Sequence, residues 1–178
     1  MSEVKRVFIA INIPDKIRQE IFAACGKALD AKRWKVVPPE NLHLTLHFLG
    51  YLGEAKIREV QEALKALHGV KNFDLELKGI GSFGNRVLWL GVGDGGDKVK
   101  EITERLQEAL GTWEGRFHAH VTLARNRSMG SQAFKACVQE LGKKEMAWRY
   151  RVMGVDLMES KLSPHGSSYS PLSRHPLA

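Results

Sequence analysis

Apolar and polar positions alternate along much of the chain, and the stretches between them carry helical spacing. Residues 4–13 are rich in β-branched side chains and predict a strand that Pro14 ends. Asp15 is placed to cap the helix that follows, whose apolar stripe is Ile17, Ile21, Ala24 and Leu29. Residues 34–39 read as a connector and 41–48 as a second strand, with Gly50 and Gly53 marking the turn after it. Residues 54–68 predict a helix with Ile57, Val60, Leu64 and Leu67 on one face. From 73 to 83, Phe73, Leu75 and Leu77 face one way and Asp74, Glu76 and Lys78 the other. Gly84-Asn85-Arg86 turns the chain into a strand over 87–92. A helix over 98–110, a strand over 117–125 and a short helix over 131–141 follow. Residues 148–158 read as one long strand and 167–172 as a last strand, in a proline-bearing tail expected to be partly mobile. Hairpin-linked strands beside a few helices predict an α+β fold with antiparallel sheet and outer helices. No linker divides residues 1–178, so one domain is expected.

Composition narrows the setting. The chain has 178 residues and is 43% hydrophobic, enough for a sizeable core. No apolar run approaches the roughly 18–20 residues of a membrane span. The short apolar opening contains Asn12 and has no convenient small-residue cleavage site, so it reads as a strand and not a leader. Cys25 and Cys137 lie in helix-like patterns with no framework spacing, which favours a reduced, cytoplasmic setting. Lys plus Arg is 27 against 20 for Asp plus Glu, a net charge of +7 that favours a polyanionic partner.

Two segments repeat a chemical pattern 77 positions apart: His43-Leu44-Thr45-Leu46 and His120-Val121-Thr122-Leu123. On a strand, His43 and Thr45 share one face while Leu44 and Leu46 anchor the other, and the second segment repeats this. Two imidazoles facing one phosphorus centre suit acid–base catalysis, because one ring is neutral while the other is protonated near neutral pH. The threonine hydroxyls then donate to the phosphate oxygens on which charge accumulates.

The extended motifs resemble the two-histidine (2H) phosphoesterase superfamily, and within it the RNA 2′,3′-cyclic phosphodiesterase branch, also named 2′-5′ RNA ligase. The resemblance rests on Arg6–Ile11, Trp34–Leu42, His43–Gly50, Val87–Val92, His120–Arg125, and Leu162, Ser163, Gly166 and Tyr169. It implies two pseudo-symmetric lobes, each an antiparallel sheet with outer helices, around a central cleft. It implies opening of an RNA 2′,3′-cyclic phosphate to a 2′-phosphate with O3′ leaving, and weak 2′-5′ ligation in reverse. His43 would be the general acid and His120 the general base. Thr45 and Thr122 would bind phosphate oxygens, and Arg125 would add charge there. Phe48 would stack on a base, although a regular strand places it on the face opposite His43. The resemblance implies no metal and no organic cofactor. The expected partner is RNA with a cyclic phosphate end, tRNA fragments among the candidates, and the chain is expected to be a monomer. Ala119 departs from the proline frequent before the second histidine.

Other readings stand beside this one. His43, His47, His118 and His120 near one cleft would hold zinc or nickel, but no Cys, Asp or Glu nearby completes a ligand pattern. A non-catalytic nucleotide- or RNA-binding module of the same fold would keep the cleft without needing two titrating groups. Lys32, Arg33 and Lys35 around Trp34 read equally as an RNA guide or as a solvated connector.

Overall fold

The computed structural model describes residues 3–112 and 115–178. Among these, the strands are β1 (Lys5–Asn12), β2 (Trp34–Val36), β3 (His43–Leu52), β4 (Phe73–Phe83), β5 (Val87–Val92), β6 (His120–Asn126), β7 (Ala147–Val152), β8 (Gly154–Ser163) and β9 (Gly166–Pro176). The helices are α1 (Asp15–Ala24), α2 (Glu54–Ala63), α3 (Gly96–Leu110) and α4 (Ser131–Gly142). The strands form one antiparallel sheet in the order β7-β4-β5-β6-β3-β1-β8-β9, with β2 added on β6. This order divides in the middle. The half β7-β4-β5-β6 meets the half β3-β1-β8-β9 where Leu44 of β3 pairs with Val121 of β6. The α+β class and the two-lobed antiparallel arrangement expected from sequence are what the chain adopts.

Period-two alternation assigns the two faces of the sheet. Val7, Ile9 and Ile11 of β1, Leu44 and Leu46 of β3 and Val121 of β6 join helix residues such as Ile21, Ile102 and Phe134 in the main core. Phe8 and Ala10 point the other way and pack with Met158 and Tyr169. That second face carries the cleft. Full burial of a leucine contributes about 1.5–3 kcal/mol, so the apolar members of both histidine motifs fasten the motifs to the core.

Several elements differ from the sequence expectation, each for a local reason. Asp15 is the first residue of α1 rather than its cap. Pro14 holds the cap position without a side-chain bond, and Asp15 pairs instead with Arg18 at 3.3 Å. The expected helix 54–68 narrows after Ala63 to a 3-10 turn over Leu64–Leu67. The connector 34–39 contains β2, because Trp34 is buried against Phe134 (ring centroids 5.3 Å apart) and draws the segment onto β6.

The expected strand 148–158 is broken at Met153 into two strands with different fates. β7 pairs with β4 at one edge, whereas β8 lies between β1 and β9 in the other half. Burial changes with the partner: β7 alternates, while Gly154–Ser160 is buried throughout because both faces of β8 are covered. Gly154 sits at the crossing, where a Cβ would stand 2.9 Å from the His175 carbonyl oxygen. The tail forms β9, paired with β8 from Gly166 to Pro176. Its edge position and a register shift beside Pro171 accommodate the prolines, whose nitrogen donates no ladder bond. Among the described residues no helix is long and apolar enough to cross a membrane. Cys25 and Cys137 are both free thiols.

Candidate active site

The single Leu44–Val121 pair sets the geometry of the site. Continued one step either way, that antiparallel register puts His43 opposite Thr122 and Thr45 opposite His120. All four side chains line one cleft of about 540 Å³ at the seam between the halves.

Each histidine is oriented by the same local bond. His43 Nδ1 lies 2.7 Å from the Asn41 carbonyl, and His120 Nδ1 lies 2.8 Å from the His118 carbonyl. A carbonyl only accepts, so Nδ1 carries the hydrogen in both rings and Nε2 is the nitrogen left to exchange protons. His43 Nε2 stands 2.9 Å from Thr45 Oγ1. Asn41 is itself tied down, its Nδ2 donating to the Ser167 carbonyl at 2.7 Å.

Both motif strands then depart from regular alternation at the same place. Between β1 and β3, Ala10 pairs with Thr45 and Ile9 with His47, leaving Leu46 unmatched. Between β5 and β6, Trp89 pairs with Thr122 and Leu88 with Ala124, leaving Leu123 unmatched. Each bulge follows its threonine directly, and two consecutive residues turn to the core: Leu46 with His47, and Leu123 with Ala124. The fifth residue after each histidine therefore returns to the cleft face. That residue is Phe48 in one motif and Arg125 in the other, and both line the cleft. The placement of Phe48 opposite His43, expected from regular alternation, is corrected by this bulge: Phe48 is 60% exposed on the cleft side, 6.1 Å from Phe8.

The bulge also removes His47 from the histidine group. His47 is 2% exposed, on the core side, and its Nε2 is 3.1 Å from Thr112 Oγ1. His118 stays near His120 but lies against Trp89 and Phe83, at 4.8 and 5.4 Å. The four histidines do not converge. Among the described residues, no three His, Cys, Asp or Glu side chains form a candidate metal cluster.

The surroundings of the two rings differ. His43 is enclosed by Phe8 at 4.9 Å and Tyr169 edge-on at 5.1 Å. His120 stands against the edge of Phe83 at 4.8 Å and beside His118 and Arg125. Trp89 completes that wall, and it fits only because Gly81 lies beneath it: a Cβ there would come within 2.2 Å of the indole. Burial pushes the His43 pKa below the ordinary histidine value, the Asn41 bond opposes this, and His120 lowers it further. Burial likewise lowers the His120 pKa against the pull of the His118 carbonyl, and the charges of His118 and Arg125 add to the lowering.

Thus His43, Thr45, Phe48, His120, Thr122 and Arg125, named from sequence, share one cleft. Sequence reasoning missed Arg6, Ser160 and Ser167, and it had no site role for Tyr169; all four line the same cleft. Alternation on β1 held the signal for Arg6, since Val7, Ile9 and Ile11 are the core face and Arg6 and Phe8 the other. Ser160 faces Arg6 across the β1–β8 ladder and Tyr169 across the β8–β9 ladder, a pairing visible only in the folded chain.

Residues 13–163 match the family model of the 2'-5' RNA ligase superfamily. The chain is 31% identical over 170 residues to the RNA 2',3'-cyclic phosphodiesterase of Methanocaldococcus jannaschii, covering 92% of this chain and 96% of that protein. It is 30% identical over 183 residues to the protein of the same name from Escherichia coli, covering 98% and 97%. Its fold superposes on the crystal structure of E. coli LigT complexed with phosphate with a TM-score of 0.80, at 28% identity and 99% coverage of both chains. LigT complexed with 3'-AMP gives a TM-score of 0.81 at 25% identity, covering 98% of this chain and 99% of that one.

Proposed function

The chain belongs to the 2'-5' RNA ligase superfamily, and we propose that it hydrolyses RNA 2′,3′-cyclic phosphate ends to 2′-phosphates with His43 and His120 as an acid–base pair. The observation that carries this reading is the matched fixing of the two rings. Both Nδ1 atoms donate to carbonyls two residues upstream, so both rings keep Nε2 for proton exchange at one cleft.

In this reading, water attacks phosphorus while His120 Nε2 takes its proton. The bond from phosphorus to O3′ breaks, and His43 Nε2–H protonates that oxygen. The product carries a 2′-phosphate and a 3′-hydroxyl, and the two rings return to their starting states by exchange with solvent. The division of roles is the one the family resemblance implies. Burial lowers the pKa of both rings, and the charges of His118 and Arg125 add to this at His120, which favours its neutral form. The charge of His120 lowers His43, so His43 takes a proton most easily while His120 is neutral. Thr45 and Thr122 donate to the nonbridging oxygens, Arg125 balances their charge, and Phe48 offers its exposed ring to the terminal base. Reverse ligation follows from microscopic reversibility, with hydrolysis favoured in water.

A short RNA ending in a 2′,3′-cyclic phosphate, incubated with the protein and EDTA, tests the reaction. A 2′-phosphate product is expected. An inert parent would leave the non-catalytic binding module as the better account, and abolition of activity by the chelator alone would remove the metal-free mechanism.

A further inference from the structure

Two neighbouring cations on β1 have opposite fates. Alternation turns Lys5 and Arg6 to opposite faces of the sheet. Lys5 meets Glu159 of β8 in an ion pair of 3.4 Å. Arg6 lies on the cleft face, where its ladder partners are Tyr51 on β3 and Ser160 on β8, neither of them acidic. It is partly buried and lines the cleft, yet among the described residues it makes no ion pair and no side-chain hydrogen bond. Ser160 repeats the anomaly. It is 7% exposed and lines the same cleft, and its Oγ has no hydrogen-bond partner among the described residues.

A cation and a hydroxyl drawn out of water without partners are both costly. Arginine only donates, and a hydroxyl beside it can donate in the same direction, so the two suit a single anionic group. The position separates this anion from the reacting phosphate. Along β3, His43, Thr45, Phe48 and Tyr51 are paired with Asn12, Ala10, Phe8 and Arg6 of β1. Arg6 therefore stands four residues from the level of Thr45, about 13 Å of strand, on the far side of Phe48. Arg125 lies at the other end, because β6 runs antiparallel to β3 through the Leu44–Val121 pair and carries it past His43. A terminal nucleotide spans this interval with its 2′,3′ edge at the histidines, its base on Phe48 and its 5′ oxygen towards Arg6.

We infer that Arg6 and Ser160 form a second phosphate subsite, which takes the phosphate on the 5′ oxygen of the terminal nucleotide. The inference rests on the cleft being the nucleotide site proposed above. The same chemistry is supplied by a terminal 5′-phosphomonoester or by the phosphodiester that joins the terminal nucleotide to the one before it.

The test uses product-like ligands, so that it reads the subsite without catalysis. Binding of a nucleoside 2′-monophosphate, the matching 2′,5′-bisphosphate and a dinucleotide with a 2′-phosphate end is measured by calorimetry at low ionic strength in the parent, Arg6→Ala, Arg6→Lys and Ser160→Ala. The parent should bind the bisphosphate about tenfold or more tighter than the monophosphate, the size expected of a charge-assisted contact. Arg6→Ala should bring the two within about twofold of each other. Ser160→Ala should lose part of the ratio, and Arg6→Lys should keep part of it because the charge remains. The ratio of two affinities on one protein does not depend on the fraction that is folded. A dinucleotide that binds like the bisphosphate assigns the subsite to the internucleotide phosphate, and one that binds like the monophosphate assigns it to a terminal phosphomonoester. A parent that binds the monophosphate and the bisphosphate equally would overturn the subsite, as would an Arg6→Ala variant that keeps the ratio. Equal weakening of all three ligands by Arg6→Ala would also overturn it, since the charge would then act on the 2′-phosphate. Turnover of the nucleoside 2′,3′-cyclic phosphate by the parent, measured alongside, reports the hydrolytic reading separately.

Discussion

His43 and His120 stand on the same backbone in contrasting surroundings. Each sits one residue before the seam pair Leu44–Val121, donates Nδ1 to a carbonyl two residues back, and is followed by a threonine and a bulge. Yet His43 is enclosed by Phe8 and Tyr169 and has Phe48 at the fifth position, while His120 has His118 beside it and Arg125 at the fifth. The repeated backbone delivers two equivalent nitrogens, and the side chains make them unequal. At the fifth position one motif presents an aromatic ring to the cleft and the other a charge.

The largest break in this comparison comes from removing either ring. His43→Ala and His120→Ala should each lower kcat by about 10²–10⁴-fold, and the double variant should fall far short of the product of the two. Multiplicative losses would mean that the rings work independently. The threonines come next. Thr122→Val should cost about 10²–10³-fold in kcat with a nearly isosteric side chain. Thr45→Val should cost at least as much, because it also removes the 2.9 Å partner of His43.

The fifth positions should separate by kinetic constant. Phe48→Ala removes a stacking surface worth about 1–3 kcal/mol, so KM should rise by tenfold or more with kcat little changed. An unchanged KM would return Phe48 to a surface role. The smallest effect is on pH dependence. Both histidines titrate below their ordinary value of about 6.5. The base must be neutral and the acid protonated, so the kcat/KM bell of the free protein should lie on the acidic side, its alkaline limb already falling below neutrality. Arg125→Ala removes one cause of the His120 lowering, so the acid limb should move up in pH, whereas Phe48→Ala should leave it in place. Equal movement in both variants would remove the electrostatic account of the difference.

How much of this was legible in the sequence depends on whether the information was local. β4 and β5 begin and end at the residues where alternation and turn chemistry place them. The two histidine–threonine pairs were visible for the same reason. What was hidden depends on partners. An unmatched Leu46 or Leu123 exists only relative to β1 or β5, and without it the parity of Phe48, His47 and Arg125 comes out reversed. The break at Met153 separates two strands that pair at distant places in the sheet, and its one local sign is Gly154, which does not say where either strand pairs. Trp34 marks a choice that the sequence left open, since an aromatic among Lys32, Arg33 and Lys35 read equally as part of an RNA guide or of a connector, and the indole is buried against Phe134.

The central claim is that two backbone-matched rings divide the acid and base roles between them. The most direct test is the pH dependence of the residual activity of His43→Ala and His120→Ala on one cyclic phosphate substrate. The account predicts that His120→Ala loses the acid limb and keeps the alkaline one, and that His43→Ala does the reverse. A variant that retains the full bell of the parent, or one that retains its rate, would contradict the claim.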